Sequence, residues 1–476
     1  MTTPLQFYLI TDSHYVSKRN WVEAEPFTGR EKGDQIALKL SPEILDGFLE
    51  KIKADEQTNI VLFTGDNVNN GDKNSHEEFI ARLRDLQAAG KRVFVTTATH
   101  DYCGDGEDEN FFHAVRYTET GTEDIESVHK GDLFDMYYDF GPAEADSVHK
   151  ESGSYTVLLS PGCRLVMIND NGNGRSHCGL FQDGMQWLTD VLKKAKAAGE
   201  IVFAAVHHPV LPPWEVYRHL VEFEMVGGYQ LLKALFCEEN VHVVFTGHTH
   251  VQNIQKYTDE QGRWFYDVST IALVSAYGKM RKVSVDVEAR RCKITSVQLE
   301  KLEGAPQDKP PQEYLYRINF TWLLESLMPL IKTDFNRFLS EASCVLPTDK
   351  LKKHRILAKA ALKKLDALPL SVLAKFGKKY NGLTKTEIAA LKSKRALTPL
   401  FEVMRCVFPG NAPFTPDTVE YKVFTGVTKK ADALLKRFPI EKITKLIPPG
   451  SSLTEMAIPM LYNNRTGDDD NLETEV

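Results

Sequence analysis

Five short clusters in the first half of the chain carry side chains suited to hold metal ions. They are Asp12-Ser13-His14, Gly65-Asp66 with Gly71 five residues after the Asp, Thr99-His100-Asp101, His207-His208-Pro209 and Gly247-His248-Thr249-His250. A carboxylate and an imidazole two residues apart at the end of a strand can both reach one ion once the chain turns. Asp12 with His14 has that spacing, and so has His248 with His250. Mixed carboxylate and imidazole donors suit Mn, Fe, Zn or Co better than Ca or Mg, which favour all-oxygen shells. Asp12, His14, Asp66, His207, His248 and His250 are too many for one tetrahedral zinc, but they fit two divalent transition-metal ions sharing a carboxylate. Two divalent ions against two aspartates leave the site cationic, so it should attract a phosphate and lower the pKa of a bound water. Any one of these pairs alone is weak, because a lone histidine beside a strand is more often a packed or surface residue. Five clusters in order, each at a strand end, are specific.

The elements that must position them read as alternating strands and helices. Residues 7–11, 60–64, 93–97, 201–206 and 241–246 are short apolar runs rich in β-branched and aromatic side chains, each leading into one of the clusters. Residues 42–55, 76–89, 184–198 and 228–237 have helical spacing, with Phe79, Leu83 and Leu86 on one face. Residues 154–159, 164–168 and 282–287 read as strands without following helices, and Ser160-Pro161-Gly162-Cys163 joins the first two as a hairpin. The fold class is therefore α/β with a mixed sheet, or two sheets packed as a sandwich, and the site belongs at one rim.

The chain has 476 residues, enough for more than one domain. The boundaries expected are a catalytic domain over 1–301, a linker over 302–313, an all-helical domain over 314–462 and a disordered acidic tail over 463–476. Helical segments are expected over 314–343, 348–367, 370–380, 384–394, 398–407 and 416–437, with N-cap candidates at Thr348, Thr384 and Thr415. Net charge is -7 overall, but residues 313–462 hold 25 Lys and Arg against 13 Asp and Glu, and the tail holds 1 against 5. The basic stripe Lys350, Lys352, Lys353, Arg355, Lys359, Lys363 and Lys364 would suit nucleic acid or anionic lipid. The favoured reading is simpler: the basic half complements the acidic catalytic half. Nucleic acid is the less favoured partner, because no nucleic-acid-binding motif is present and Phe320, Trp322 and Phe335 lie at helical core spacing.

No run of apolar residues is long enough for a membrane helix. The N-terminal Gln6-Phe7-Tyr8-Leu9-Ile10 runs straight into Asp12 and His14 rather than into a cleavage site. Seven scattered cysteines without a CxxC pair read as reduced thiols, so a cytoplasmic location is expected. His208 is expected to support its neighbour rather than bind metal, and His76, His113 and His177 to face solvent or lie in loops. The acidic stretch 104–109 is expected to be a solvated loop, while the Gly-rich loop 169–177 could border a substrate.

The clusters resemble the calcineurin-like metallophosphoesterases, whose pattern is D-x-H, G-D-x-x-x-x-G, G-N-H-D/E, a histidine within H-x-P, and G-H-x-H. The resemblance covers about residues 5–290, and four of the five motifs are intact. It implies a β-sandwich flanked by helices. It places one ion on Asp12, His14, Asp66 and His250, and the other on Asp66, His207, His248 and residue 99, with Asp66 as the bridge. His100 would face the substrate and stabilise or protonate the leaving oxygen, with Asp101 orienting it. The departures are Thr99 for the family's metal-binding asparagine and Ala98 for its glycine, which imply a weaker second ion.

The activity expected is hydrolysis of a phosphate ester by a hydroxide bridging the two ions. A helical C-terminal domain resembles the architecture of bacterial cyclic nucleotide phosphodiesterases of this superfamily, so a small phosphodiester is the expected substrate. The alternatives are a nuclease or phosphomonoesterase of the same fold, and, in another class, a non-catalytic metal-binding scaffold with a degenerate second site.

Overall fold

The computed structural model describes all residues except 1–3, 35, 105–112, 172–177, 215–223, 307, 317–319, 343–347, 438–446, 448–450 and 463–467. The described chain forms two compact units: the described residues within 1–213, 223–316 and 465–476 make the first, and those within 214–222 and 317–464 make the second.

The first unit is built on β1 (Leu5–Ile10), β2 (Ile60–Thr64), β3 (Arg92–Thr96), β4 (Val115–Tyr117), β5 (Thr122–Asp124), β6 (Ser147–His149), β7 (Ser154–Ser160), β8 (Cys163–Ile168), β9 (Ile201–Val206), β10 (Val241–Thr246), β11 (Asn253–Thr258), β12 (Trp264–Ser269), β13 (Lys279–Asp286), β14 (Arg291–Gln298) and β15 (Leu472–Glu475). One sheet has six strands in the order β15-β14-β13-β1-β2-β3, and the other has seven in the order β11-β12-β10-β9-β8-β7-β6. Both are mixed: β1, β2 and β3 run parallel, as do β8, β9 and β10, while β13 and β7 pair antiparallel to their neighbours. The hairpin expected at residues 160–163 is present, with Ser160 opposite Cys163.

The sheets pack as a sandwich. Phe7, Leu9, Leu62 and Phe94 of one sheet meet Leu165, Met167, Phe203, Ala205, Val243 and Phe245 of the other in a single buried cluster. On β9 the alternate residues Val202, Ala204 and Val206 face outward into a second cluster with Leu188 and Leu192 of the helix Gln182–Ala197 and Leu232 and Phe236 of the helix Tyr229–Glu238. Burial on both faces explains why these strands read as unbroken apolar runs instead of alternating ones.

In the first unit three expectations change. The described part of the acidic tail, residues 468–476, is not a free segment: β15 pairs antiparallel with β14, and Leu472 and Val476 enter the sandwich core. Its backbone is satisfied by the sheet, and its carboxylates meet cations too far away in sequence to be foreseen. The supposed linker belongs to the first unit as well. Leu302 and Pro311 are buried, and Gln312 Nε2 donates to the Leu299 carbonyl at 2.8 Å. Finally His76 is fully buried on the helix Lys73–Ala88, because its two ring nitrogens lie 2.8 Å from Tyr137 Oη and 2.8 Å from the Asp101 carbonyl. His113 is exposed as expected, while His177, most of the acidic stretch and most of the Gly-rich loop lie outside the described residues.

The second unit is helical among its described residues. The long segment expected over 314–343 is divided into Pro311–Tyr316, Phe320–Thr333 and Phe335–Glu341. Asp334 makes the last break by accepting hydrogen bonds from the Asn336 and Arg337 amides as an N-cap. Thr384 caps Lys385–Ala390 in a reciprocal box with Glu387. Thr415 does not cap its helix, which starts at Val419. Phe335 packs with Leu327, Ile331, Phe338 and Leu339. Among the basic residues, Lys352, Lys353, Arg355, Lys363 and Lys364 are exposed. No helix among the described residues is long and apolar enough to cross a membrane.

Candidate metal centre

The parallel strands β1, β2, β3, β9 and β10 end at one rim, and each is followed by one of the five clusters. Neighbouring loops are laced by their backbones. The Asp12 amide donates to Gly65 O at 3.0 Å, the His14 amide to Asp66 O at 3.0 Å and the Gly247 amide to His207 O at 2.9 Å. The two sheets are joined across the rim by His207 Nδ1, which donates to the Thr64 carbonyl at 2.9 Å, and by the His248 amide, which donates to Asp12 Oδ2 at 3.1 Å.

Tight turns at the strand ends aim the side chains inward. Asp12, His14, Asp66, His248 and His250 all have positive φ, between 39° and 64°. Left-handed backbone costs an L-residue about 1–2 kcal/mol, and such strain persists where the surroundings impose it, often at functional sites. The glycines before Asp66 and His248 are required by close approach. A Cβ on Gly65, whose φ is 99°, would lie 2.6 Å from His207 Nδ1, and one on Gly247 would collide with Thr11 Oγ1 and Asp12 Oδ2.

The result is three groups whose ligand atoms lie within 4.8 Å of one another: Asp12, His14 and His250; His14, Asp66 and His100; and Asp66, His207 and His248. Asp66 belongs to two of them. His14 Nε2 and His250 Nε2 approach to 3.0 Å, His250 Nε2 is 3.3 Å from Asp12 Oδ1, and His207 Nε2 is 3.0 Å from Asp66 Oδ2. Asp12, His14, Asp66 and His207 are buried.

Two imidazole nitrogens facing each other at hydrogen-bond distance need a proton or a cation between them. The same demand arises at His207. Its Nδ1–H is engaged by Thr64, so in the neutral ring the Nε2 lone pair faces Asp66. Burial pushes His207 down, but the charges of Asp66 and Asp12 outweigh it and raise its pKa to about 9. Burial also opposes ionisation of Asp12 and Asp66, yet the neighbouring imidazoles, His207 foremost, hold both below the usual carboxylate range. Burial lowers His14 and His248 to about 4, which keeps both rings neutral and available as donors. Buried ionised carboxylates beside imidazoles, two of them held neutral and a third drawn toward a positive charge, fit divalent cations.

Thr99 is buried and opens the one-turn segment Thr99–Asp101, whose His100 amide donates to Asp66 Oδ1 at 2.9 Å. The His100 ring stands edge-on to His14, with centroids 4.7 Å apart. The Asp101 carboxylate accepts from the Ala98 amide at 2.7 Å, the Val68 amide at 2.9 Å and Asn67 Nδ2 at 3.1 Å, fastening the turn that carries His100 to the loop after β2. Burial, then the charge of Asp66, pushes Asp101 up to about 7.

Two supporting carboxylates were missed in the sequence. Asp170, just past β8, accepts from His208 Nδ1 at 2.8 Å, and the His208 ring lies 4.1 Å from that of His248. Its strand-end position was the available signal. Glu224 Oε2 is 2.6 Å from His248 Nε2 and stands in no motif.

Comparison with curated proteins gives no match. Among solved structures, a dimetal phosphatase from Danio rerio is 13% identical, covering 63% of this chain and 97% of its own, with a TM-score of 0.45. A protein serine/threonine phosphatase from Saccharomyces cerevisiae is 11% identical, covering 65% and 84%, with a TM-score of 0.29. The family model for calcineurin-like phosphoesterases matches residues 5–252, more than half of the chain, and that span contains all five clusters at the rim. The chain belongs to the calcineurin-like phosphoesterase family.

Proposed function

We propose that this protein is a two-metal phosphodiesterase acting on small diesters, with cyclic nucleotides as the leading class. The observation that carries the reading is Asp66, whose carboxylate is shared by two adjacent ligand groups and so sits where a bridge is needed. One ion would be held by Asp12, His14, Asp66 and His250, and the other by Asp66, His207, His248 and Thr99. Bound there, Mn, Fe, Zn or Co would supply charge to neutralise a phosphate and acidity to activate water.

The chain's own groups do the rest. His100 stands beside His14 and Asp66, where its ring can stabilise or protonate the leaving oxygen. Asp101 keeps the turn carrying His100 in place. A cavity of about 470 Å³ borders Thr96 and Thr97, which lead into that turn, and Lys130, Lys150, Asn169 and Asn171 also line it. It is large enough for a small organic group, and its lining balances Lys130 and Lys150 with Asp135 and Glu151. A cytoplasmic location is proposed on the six described cysteines, all free thiols.

The test is hydrolysis of bis(p-nitrophenyl) phosphate and a panel of cyclic nucleotides by protein loaded with each metal. Metal content is measured by elemental analysis beside it. Turnover that needs metal and disappears in Asp66→Ala supports the reading. Turnover indifferent to chelator, or metal bound with no turnover of any mono- or diester, overturns it.

A further inference from the structure

We infer that the acidic C-terminal segment is a positioning element of the metal centre, through a clamp of Asp469 and Asp470 on the residues that follow His250. The chain leaves His250 as Val251, Gln252, Asn253 and Ile254. Asp469 Oδ1 accepts from Asn253 Nδ2 at 3.1 Å and from the Ile254 amide at 3.2 Å. Asp470 Oδ1 accepts from Gln252 Nε2 at 3.0 Å, and Oε1 of the same side chain accepts from the Ile271 amide at 3.0 Å. Three consecutive residues just after a candidate ligand are thus held by carboxylates more than two hundred positions away.

The clamp is anchored by buried cations. Arg281 is fully buried, and its Nη1 donates to the carbonyls of Asp469 at 2.8 Å and Asp470 at 3.1 Å. Its Nη2 donates to Ser269 O at 2.9 Å. Lys279 Nζ donates to Asp470 Oδ1 at 2.6 Å. From Ser269 the chain runs on through Thr270, whose amide donates to Thr246 O, to Leu273, whose amide donates to Asp12 O at 3.2 Å. The same acidic segment therefore braces His250 from one side and the backbone of Asp12 from the other, and both are ligands of one proposed ion. Among the described residues, the Asp66, His207 and His248 group is reached only at second hand, through the Thr270 amide on Thr246 O and the His248 amide on Asp12 Oδ2. β15 fixes the register, with Leu472 opposite Ile294 and Glu475 opposite Arg291. Because the helical unit lies in sequence between β14 and β15, the centre is completed only when the chain returns from that unit.

The metal arm of the test rests on the two-ion reading above. Asp469→Ala removes the acceptor for Asn253 and Ile254, while Asp469→Asn keeps an oxygen there. Manganese binding is followed by calorimetry, with His250→Ala and His207→Ala identifying the two binding steps. The expected result is that Asp469→Ala weakens the His250 step about tenfold or more, the size typical of lost support to a ligand. The His207 step should be unchanged, and Asp469→Asn should recover most of the loss. A merely structural tail would lower the melting temperature and weaken both steps together, and that outcome, or unchanged binding in folded Asp469→Ala, overturns the proposal. A second arm needs no metal: hydrogen exchange at the amides of residues 248–254 and of Leu273 should quicken in Asp469→Ala. If the wild type binds no manganese yet these amides lose protection, the two-ion reading fails and the clamp stands; unchanged exchange sinks the clamp itself.

Discussion

Glu224 Oε2 lies 2.6 Å from Nε2 of His248, the imidazole that forms one ligand group with Asp66 and His207. A carboxylate on the far side of a ligating imidazole fixes the ring and raises its basicity. Glu224→Gln keeps the size but lowers that support. It should weaken one of two metal-binding steps by about 10–100-fold, with the fold unchanged by circular dichroism. Equal affinities for wild type and variant in a metal titration would remove Glu224 from the site.

Gly247→Ala should damage the opposite end of the centre. The added methyl collides with Asp12 Oδ2 and Thr11 Oγ1, and both are buried. Overpacking of this kind costs about 1–3 kcal/mol, read as a lower melting temperature. Metal content should fall with it, because the atom displaced belongs to the Asp12 carboxylate. A variant that melts lower but retains full metal would show that Asp12 is not a ligand.

The strand ends were legible because the residues after each buried parallel strand have nowhere to go but the rim, so apolar runs ending in Asp or His announce the centre. β11 and β14 escaped notice for a physical reason. They read Asn253-Ile-Gln-Lys-Tyr-Thr258 and Arg291-Cys-Lys-Ile-Thr-Ser-Val-Gln298, polar sequences in which only alternate residues such as Ile254, Cys292 and Ile294 join the sandwich core. The C-terminal segment was misread because composition counts its carboxylates as solvated. Lys279, which meets the Asp470 carboxylate, and Arg281, which holds the Asp469 and Asp470 carbonyls, lie about 190 positions earlier. Glu224 and Asp170 act through another residue's ring, and spacing along the chain does not record such contacts.

Thr99→Asn tests the family's departure at the second ion. A threonine hydroxyl is shorter than an asparagine amide and a poorer neutral donor to a cation. Thr99 is buried at the head of the His100 turn, so the longer side chain would point into a confined space. The substitution should tighten the weaker metal step by about threefold to tenfold, roughly 1 kcal/mol, and raise turnover at limiting metal. If neither moves, position 99 does not contribute to metal binding in this chain.

His76 predicts an acid limit to stability. Burial lowers its pKa to about 4, and the hydrogen bond to the Asp101 carbonyl only partly opposes this. In the unfolded chain the ring takes up a proton near its ordinary value of about 6.5, whereas the folded chain resists until about 4. The folded state is therefore stabilised fully above pH ~6.5, and that contribution is lost as pH falls through the folded pKa. A shift of this size corresponds to about 3 kcal/mol. Denaturant midpoints of wild type should drop between pH 6.5 and 4, and His76→Gln, which does not titrate, should show a shallower slope over that window whatever its absolute stability. Parallel slopes for the two proteins would mean that the ring is already protonated, or already solvated, in the native state.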